Sequence, residues 1–183
     1  MQRGILTSLA VGAIMAASIA APQPTSAKSE KFPGVTDHIK VKAEPSIVYE
    51  CIRELRYKPG SHVKELKTSD HEATLEEHFS DLPIVKTATC TYVEKYTCDK
   101  EVAYKMVSSD KFKAFEGKWE LTEVPGEKAT DVSLRSFVLL DLPVPFLRQL
   151  TNTQTIKGVK DRLAEVKKLA EAKATASSPT TTK

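Results

Sequence analysis

FEGKWELTEVPGEKATDVSLRSFVLL, residues 115–140, reads as two β-strands joined by a tight turn. Phe115, Gly117, Trp119 and Leu121 alternate with Glu116, Lys118, Glu120 and Thr122, the period-two pattern of a strand with one dry and one wet face. Pro125-Gly126-Glu127-Lys128 supplies the turn. Thr130–Leu140 resumes the alternation, with Val132, Leu134 and Val138 opposite Ser133 and Arg135.

The same pattern extends towards the N-terminus. Glu101–Ser108 places Val102, Tyr104 and Met106 on one face, and Asp99-Lys100 turns into it from Val85–Cys98, a long stretch rich in Thr, Val and Tyr. Glu72–Ser80 sets Ala73, Leu75, Glu77 and Phe79 against Thr74, Glu76 and His78, and Val63–Thr68 precedes it as a further strand. Short links between consecutive strands imply an antiparallel meander, dry on one side.

Two helices are available to cover the dry side. The first follows an alternating strand, His38–Ala43, and opens at Glu44-Pro45-Ser46, with proline in the first turn where its missing N–H costs nothing. Ile47, Val48, Cys51, Ile52 and Leu55 give it an apolar face before Tyr57-Lys58-Pro59-Gly60 ends it. The second is expected over Thr153–Ala172, where Ile156, Val159, Leu163, Val166 and Leu169 or Ala170 recur at helical spacing. At ~1.5 Å per residue it is about 30 Å long, enough to cross the sheet. Gly158 sits near its apolar face, and the absent side chain leaves room there.

The ends of the chain differ from this. Met1-Gln2-Arg3 is basic, Gly4–Ala21 carries no charge, and Thr25-Ser26-Ala27 offers small residues for cleavage. That is the pattern of a secretory signal peptide over residues 1–27, with a cut near Ala20 as the alternative site. A retained anchor is disfavoured by Thr7, Ser8, Gly12, Ser18 and many alanines, and by the lack of a basic stop-transfer cluster. Removal of the leader leaves one ordinary domain: a polar lead-in, residues 28–36, a folded body, residues 37–172, and a polar tail, residues 173–183, expected to be disordered. The formal net charge is +3, and no basic run interleaved with aromatics occurs, which excludes a dedicated nucleic-acid partner.

Three cysteines, Cys51, Cys90 and Cys98, are an odd number for an exported protein. On one extended strand Cys90 and Cys98 stand about 26 Å apart, far beyond disulfide reach. A bridge would have to involve Cys51; the other reading is three small, half-buried thiols.

Particular residues then carry a family resemblance. Ile39-Lys-Val-Lys-Ala-Glu-Pro45-Ser-Ile-Val-Tyr49 runs from strand to helix through a proline. Phe115-Glu-Gly117-Lys-Trp119-Glu-Leu121, followed by Pro125 and Thr130-Asp-Val132, forms a "G-x-W" hairpin, and Leu142-Pro-Val-Pro145-Phe-Leu147 leads into the last helix. In this order they resemble the START-like, or SRPBCC, helix-grip superfamily, nearest to its coenzyme Q-binding and polyketide cyclase branch. The resemblance implies an α+β helix-grip fold: a curved antiparallel sheet wrapped around a long C-terminal helix, with a short helical segment after the first strand. It also implies a hydrophobic cavity between sheet and helix. Members bind lipids, sterols, quinones or polyketides, and a minority catalyse reactions on the ligand.

On that frame the residues expected to touch ligand are the inward aromatics Phe79, Tyr104, Phe115 and Trp119, together with Leu134, Phe146, Ile156, Val159 and Leu163. Glu77 shares the inner face and is either a polar anchor or base in the cavity, or a residue at the solvated rim. His38, His62, His71 and His78 lack metal spacing, and no Gly-rich phosphate loop or nucleophile elbow occurs. No catalytic residue, metal or cofactor is therefore assigned.

The expected function is an exported, periplasmic or secreted, carrier of a hydrophobic small molecule. The alternatives are a cyclase- or dehydratase-type enzyme using Glu77 and a tyrosine, and an interaction module with a collapsed cavity. The apolar connection Leu142–Leu147 has three possible roles: packing under the helix, a lid on the cavity, or transient membrane contact through Phe146 with Arg148 near the headgroups.

Overall fold

The computed structural model describes residues 34–82, 85–143, 145 and 147–177. The leader assigned to residues 1–27, most of the lead-in, Phe146 and the last six residues of the tail lie outside the described residues.

Seven strands form one antiparallel sheet: β1 (Val35–Val41), β2 (Val63–Thr68), β3 (Glu72–Leu82), β4 (Lys86–Thr97), β5 (Glu101–Ser109), β6 (Phe112–Glu123) and β7 (Thr130–Leu140). Their spatial order is β1-β7-β6-β5-β4-β3-β2, so the meander runs from one edge to the other and the first strand closes against the last. The first helix, α1 (Pro45–Glu54), with a short 3-10 turn over Leu55–Tyr57, links the two edge strands. The second, α2 (Leu147–Ser177), packs on β1, β7 and α1.

Alternation read from the sequence sets the inner face. Buried Ala73 and Leu75 on β3, Cys90 and Tyr92 on β4, Val102 and Tyr104 on β5, Phe115 and Trp119 on β6 and Val132 and Leu134 on β7 all belong to one core. Register shifts at Glu65/Lys67, Phe79/Leu82, Thr91/Tyr92 and Phe112/Ala114 interrupt the ladders. Bulges of this kind bend strands, which is how the sheet curves towards α2. Asp99 adopts φ 56° in the turn between β4 and β5, a conformation that aspartate tolerates better than most residues.

Strands β2 to β7 match their sequence limits closely, but β1 and α2 do not: β1 runs Val35–Val41 rather than His38–Ala43, so it begins within the stretch read as polar lead-in and pairs with β7 from Ser136 to Thr130. Helix α2 begins at Leu147 rather than Thr153 and continues to Ser177 rather than Ala172, so residues 173–177 are helix and not tail. No glycine or proline occurs between Gly158 and Pro179 to end it earlier. At 31 residues it is about 46 Å long.

The inward stripe of α2 also changes. Val159, Leu163, Val166 and Ala170 are buried as expected, whereas Leu169 is exposed and Ala170 takes its place. Towards the N-terminus the inward side is carried by Thr151, Thr155, Gly158 and Arg162. Ile156 therefore turns outward, 38% exposed.

Candidate ligand cavity

That substitution of small and polar residues for large apolar ones leaves space between α2 and the sheet. A cavity of about 350 Å³ lies there, with a floor of Phe79, Phe112, Phe115, Leu134, Val138 and Leu140 and a roof of Thr151, Gln154, Thr155, Gly158, Val159 and Arg162. A β-carbon added at Gly158 would meet nothing within 4 Å. Leu150, 50% exposed, stands at the edge of the same wall.

The floor is tied together by aromatic contacts. Phe115 is the hub: its ring centroid lies 5.1 Å from Tyr104, 5.2 Å from Tyr92, 5.6 Å from Phe79 and 5.9 Å from Phe112. The Phe79 contact is edge-on, the two tyrosine contacts are tilted and the Phe112 ring stacks nearly parallel, and together they fix the wall's shape.

Polar groups enter at defined points. Tyr104 on β5, Gly117 on β6 and Ser136 on β7 stand side by side across three strands. The Tyr104 hydroxyl donates to Ser136 Oγ at 2.9 Å, both residues being buried parts of the cavity wall. Burial pushes the Tyr104 phenol up, so it stays a protonated donor.

Arg162 is the charged residue of the roof. Its side chain lines the cavity and keeps 39% of its surface accessible. Glu77 Oε1 is 3.7 Å from it, and Glu77 Oε2 accepts a hydrogen bond from the Tyr92 hydroxyl at 3.0 Å. Burial, with Glu77 adding to it, pushes the Tyr92 phenol far above its ordinary range. Burial alone would lower Arg162, but Glu77 and the neighbouring tyrosines more than offset that, and the guanidinium stays charged.

A second polar cluster lies at the end of α1. Arg56 is buried, donates to the Tyr96 hydroxyl at 3.0 Å, and has Glu94 and Glu65 at 3.5 and 3.6 Å. Tyr96 in turn donates to Glu94 at 2.8 Å, and Arg53 stacks over the Tyr96 ring at 4.7 Å. This cluster joins the 3-10 turn to β2 and β4 and contributes nothing to the cavity wall.

Five of the residues expected from sequence meet in the wall: Phe79, Tyr104, Phe115, Leu134 and Val159. Trp119 and Leu163 are on the inner side but in solid core, with Trp119 4% exposed. Ile156 faces outward, Glu77 stands outside the wall with its oxygens on Arg162 and Tyr92, and Phe146 lies outside the described residues. Sequence reading missed Arg162, Ser136 and Phe112. Arg162 follows Val159 by three and precedes Val166 by four, an inward spacing that was legible.

Among the described residues no group of His, Cys, Asp or Glu side chains is placed to hold a metal, and no helix is long and apolar enough to cross a membrane.

Comparison with solved structures identifies the fold. TTHA0849 from Thermus thermophilus superposes with a TM-score of 0.65 at 19% identity, over 80% of this chain and 100% of that one. The Zhui aromatase/cyclase from a Streptomyces species gives 0.63 at 15% identity, over 76% and 93%. A START superfamily protein from Mycobacterium smegmatis gives 0.54 at 14% identity, over 79% and 98%. No protein-family model and no curated protein sequence matches the chain. The chain has the START-like helix-grip fold, as its hairpin and terminal helices led one to expect.

Proposed function

We propose that this protein is an exported binding protein for a hydrophobic small molecule held between the sheet and α2. The observation that carries the reading is the cavity, about 350 Å³, floored by phenylalanine, leucine and valine side chains with a few polar groups at set positions. Ligand sites of this build usually span roughly 300–1,000 Å³. The volume suits a small ring system or a single short chain and is too small for a two-chain lipid. Among structures with this fold are an aromatase/cyclase and a START superfamily protein, which supports a small-molecule ligand without naming it.

Binding is favoured over catalysis by the position of Glu77. The carboxylate that would act as a base is engaged by Tyr92 and Arg162 and stands outside the cavity wall. Export rests on the basic start, the uncharged stretch and the small-residue site within residues 1–27. Ligand exchange at a membrane belongs to the same proposal, supported by exposed Leu150, Pro143 and Pro145 near the start of α2.

Native mass spectrometry of protein purified from its own host tests the binding reading. A co-purifying small-molecule mass is expected; a ligand-free protein that also fails to take up a fluorescent apolar probe overturns it. N-terminal sequencing of the same material is expected to begin near Lys28, and an intact Met1 start overturns export.

A further inference from the structure

Two donors on the cavity wall, on Arg162 and Ser136, have protons that no hydrogen bond among the described residues takes up. Arg162 carries five N–H groups, yet among the described residues its one polar partner is Glu77, at 3.7 Å, which is longer than a hydrogen bond. Ser136 is 7% exposed and accepts from Tyr104, so its own proton has no acceptor among the described residues and is available to the cavity it lines. Tyr104, which orients Ser136, lies close enough to Arg162 to feel its charge. Donors that face the cavity gain from a ligand that supplies an acceptor as it displaces water.

The charge balance decides which acceptor. Glu77 already neutralises Arg162, and Tyr92 holds Glu77 in place. Glu94 adds a negative charge nearby, and Asp81 lines the cavity itself. A carboxylate ligand would be stripped of water and set beside these anions, with a guanidinium whose charge is already spent. A neutral oxygen meets the donors without disturbing that balance.

Resting on the binding function proposed above, we infer that the ligand presents a neutral carbonyl oxygen to Arg162 and the Ser136 hydroxyl, and that Glu77 sets the preference for carbonyl over carboxylate. Glu77 is a positioning and charge-balancing residue; it does not touch the ligand.

Three ring-matched probes test this by calorimetric titration of the purified full chain: acetonaphthone, a neutral ketone; naphthoate, its acid counterpart; and ethylnaphthalene, the hydrocarbon. The ketone is expected to bind about tenfold tighter than the hydrocarbon, the gain of one or two charge-assisted hydrogen bonds, and tighter than the acid at neutral pH. Arg162→Met should erase most of the ketone's advantage over the hydrocarbon, each measured on the same variant. Glu77→Gln keeps the size and the Tyr92 contact but frees the Arg162 charge, so the acid should overtake the ketone. Equal binding of ketone and hydrocarbon overturns the inference and leaves the cavity function standing, as does tightest binding of the acid to the unaltered protein. Failure of all three probes to bind overturns both.

Discussion

Tyr104 donates its phenolic proton to Ser136 Oγ, 2.9 Å away and two strands over, by laying its ring across the bare backbone of Gly117. The glycine of the G-x-W hairpin thus serves close packing: a β-carbon there would sit 2.4 Å from Tyr104 Cζ and 2.2 Å from the carbonyl oxygen of Arg135. The phenol ring has some freedom to swing away, but the carbonyl is fixed in the β7 backbone. Gly117→Ala is therefore expected to cost about 1–3 kcal/mol, the usual range for overpacking. Tyr104→Phe, which removes only the hydroxyl, should cost about 0.5–1.5 kcal/mol. Urea denaturation of both variants checks the order; a Gly117→Ala protein as stable as the parent would show that the close approach is absent.

Gly158 presents the opposite case. It lies mid-helix on the cavity wall with open space where its side chain would be. Gly158→Ala should stabilise the protein by up to about 1 kcal/mol through helix propensity alone. Gly158→Leu should fold equally well but fill the cavity, so that uptake of an apolar fluorescent probe falls at least tenfold. A leucine variant that binds the probe normally would place the ligand elsewhere.

Three thiols occupy three environments. Cys51 and Cys90 are buried and Cys98 is exposed, and all are free. Burial pushes the Cys90 thiol up to about 12, with Glu77 and Asp110 adding to the effect, and burial likewise raises Cys51. Since the thiolate is the reactive form, the folded protein should take up one equivalent of a thiol reagent, at Cys98, and the urea-unfolded protein three. Prompt modification of Cys90 in the folded state would contradict its placement on the inner face of β4.

The sheet was legible in the sequence because each strand has one wet face, so alternation reveals both its limits and its inward residues. Inward aromatics such as Phe79, Phe115 and Tyr104 followed directly. The helix end of the cavity was harder to read. Thr151, Thr155 and Arg162 look like a solvated surface, and they face inward only because α2 shifts its contact stripe where the cavity opens. Ile156 misled for the same reason: its spacing to Val159 and Leu163 is helical, but the stripe has already moved past it. Trp119 has the correct face and the wrong depth, being packed as solid core. Alternation gives a side chain's direction and carries no information on whether the opposing element is near or far.

The Arg56 cluster yields a prediction with a definite pH signature. Burial raises the Glu94 carboxyl above its ordinary value, against the Tyr96 hydrogen bond and the Arg56 charge, which hold it down. Because its folded pKa exceeds the unfolded one, the folded state binds the extra proton between them. The stability from Glu94 is thus full below the unfolded value near 4.5 and is lost as pH rises through the folded value. Arg56→Leu removes the main counter-charge, moves the folded value further up and enlarges that loss. At neutral pH the variant leaves a buried carboxylate without its cation and should be less stable by about 3–5 kcal/mol. Below the unfolded value Glu94 is neutral in both proteins and no longer needs the Arg56 charge, so the deficit should shrink to a small fraction. Urea midpoints at about pH 7 and about pH 4 measure the two limits. An equal deficit at both would mean that Arg56 acts through packing on Tyr96 and Tyr57 and that its charge on Glu94 contributes little.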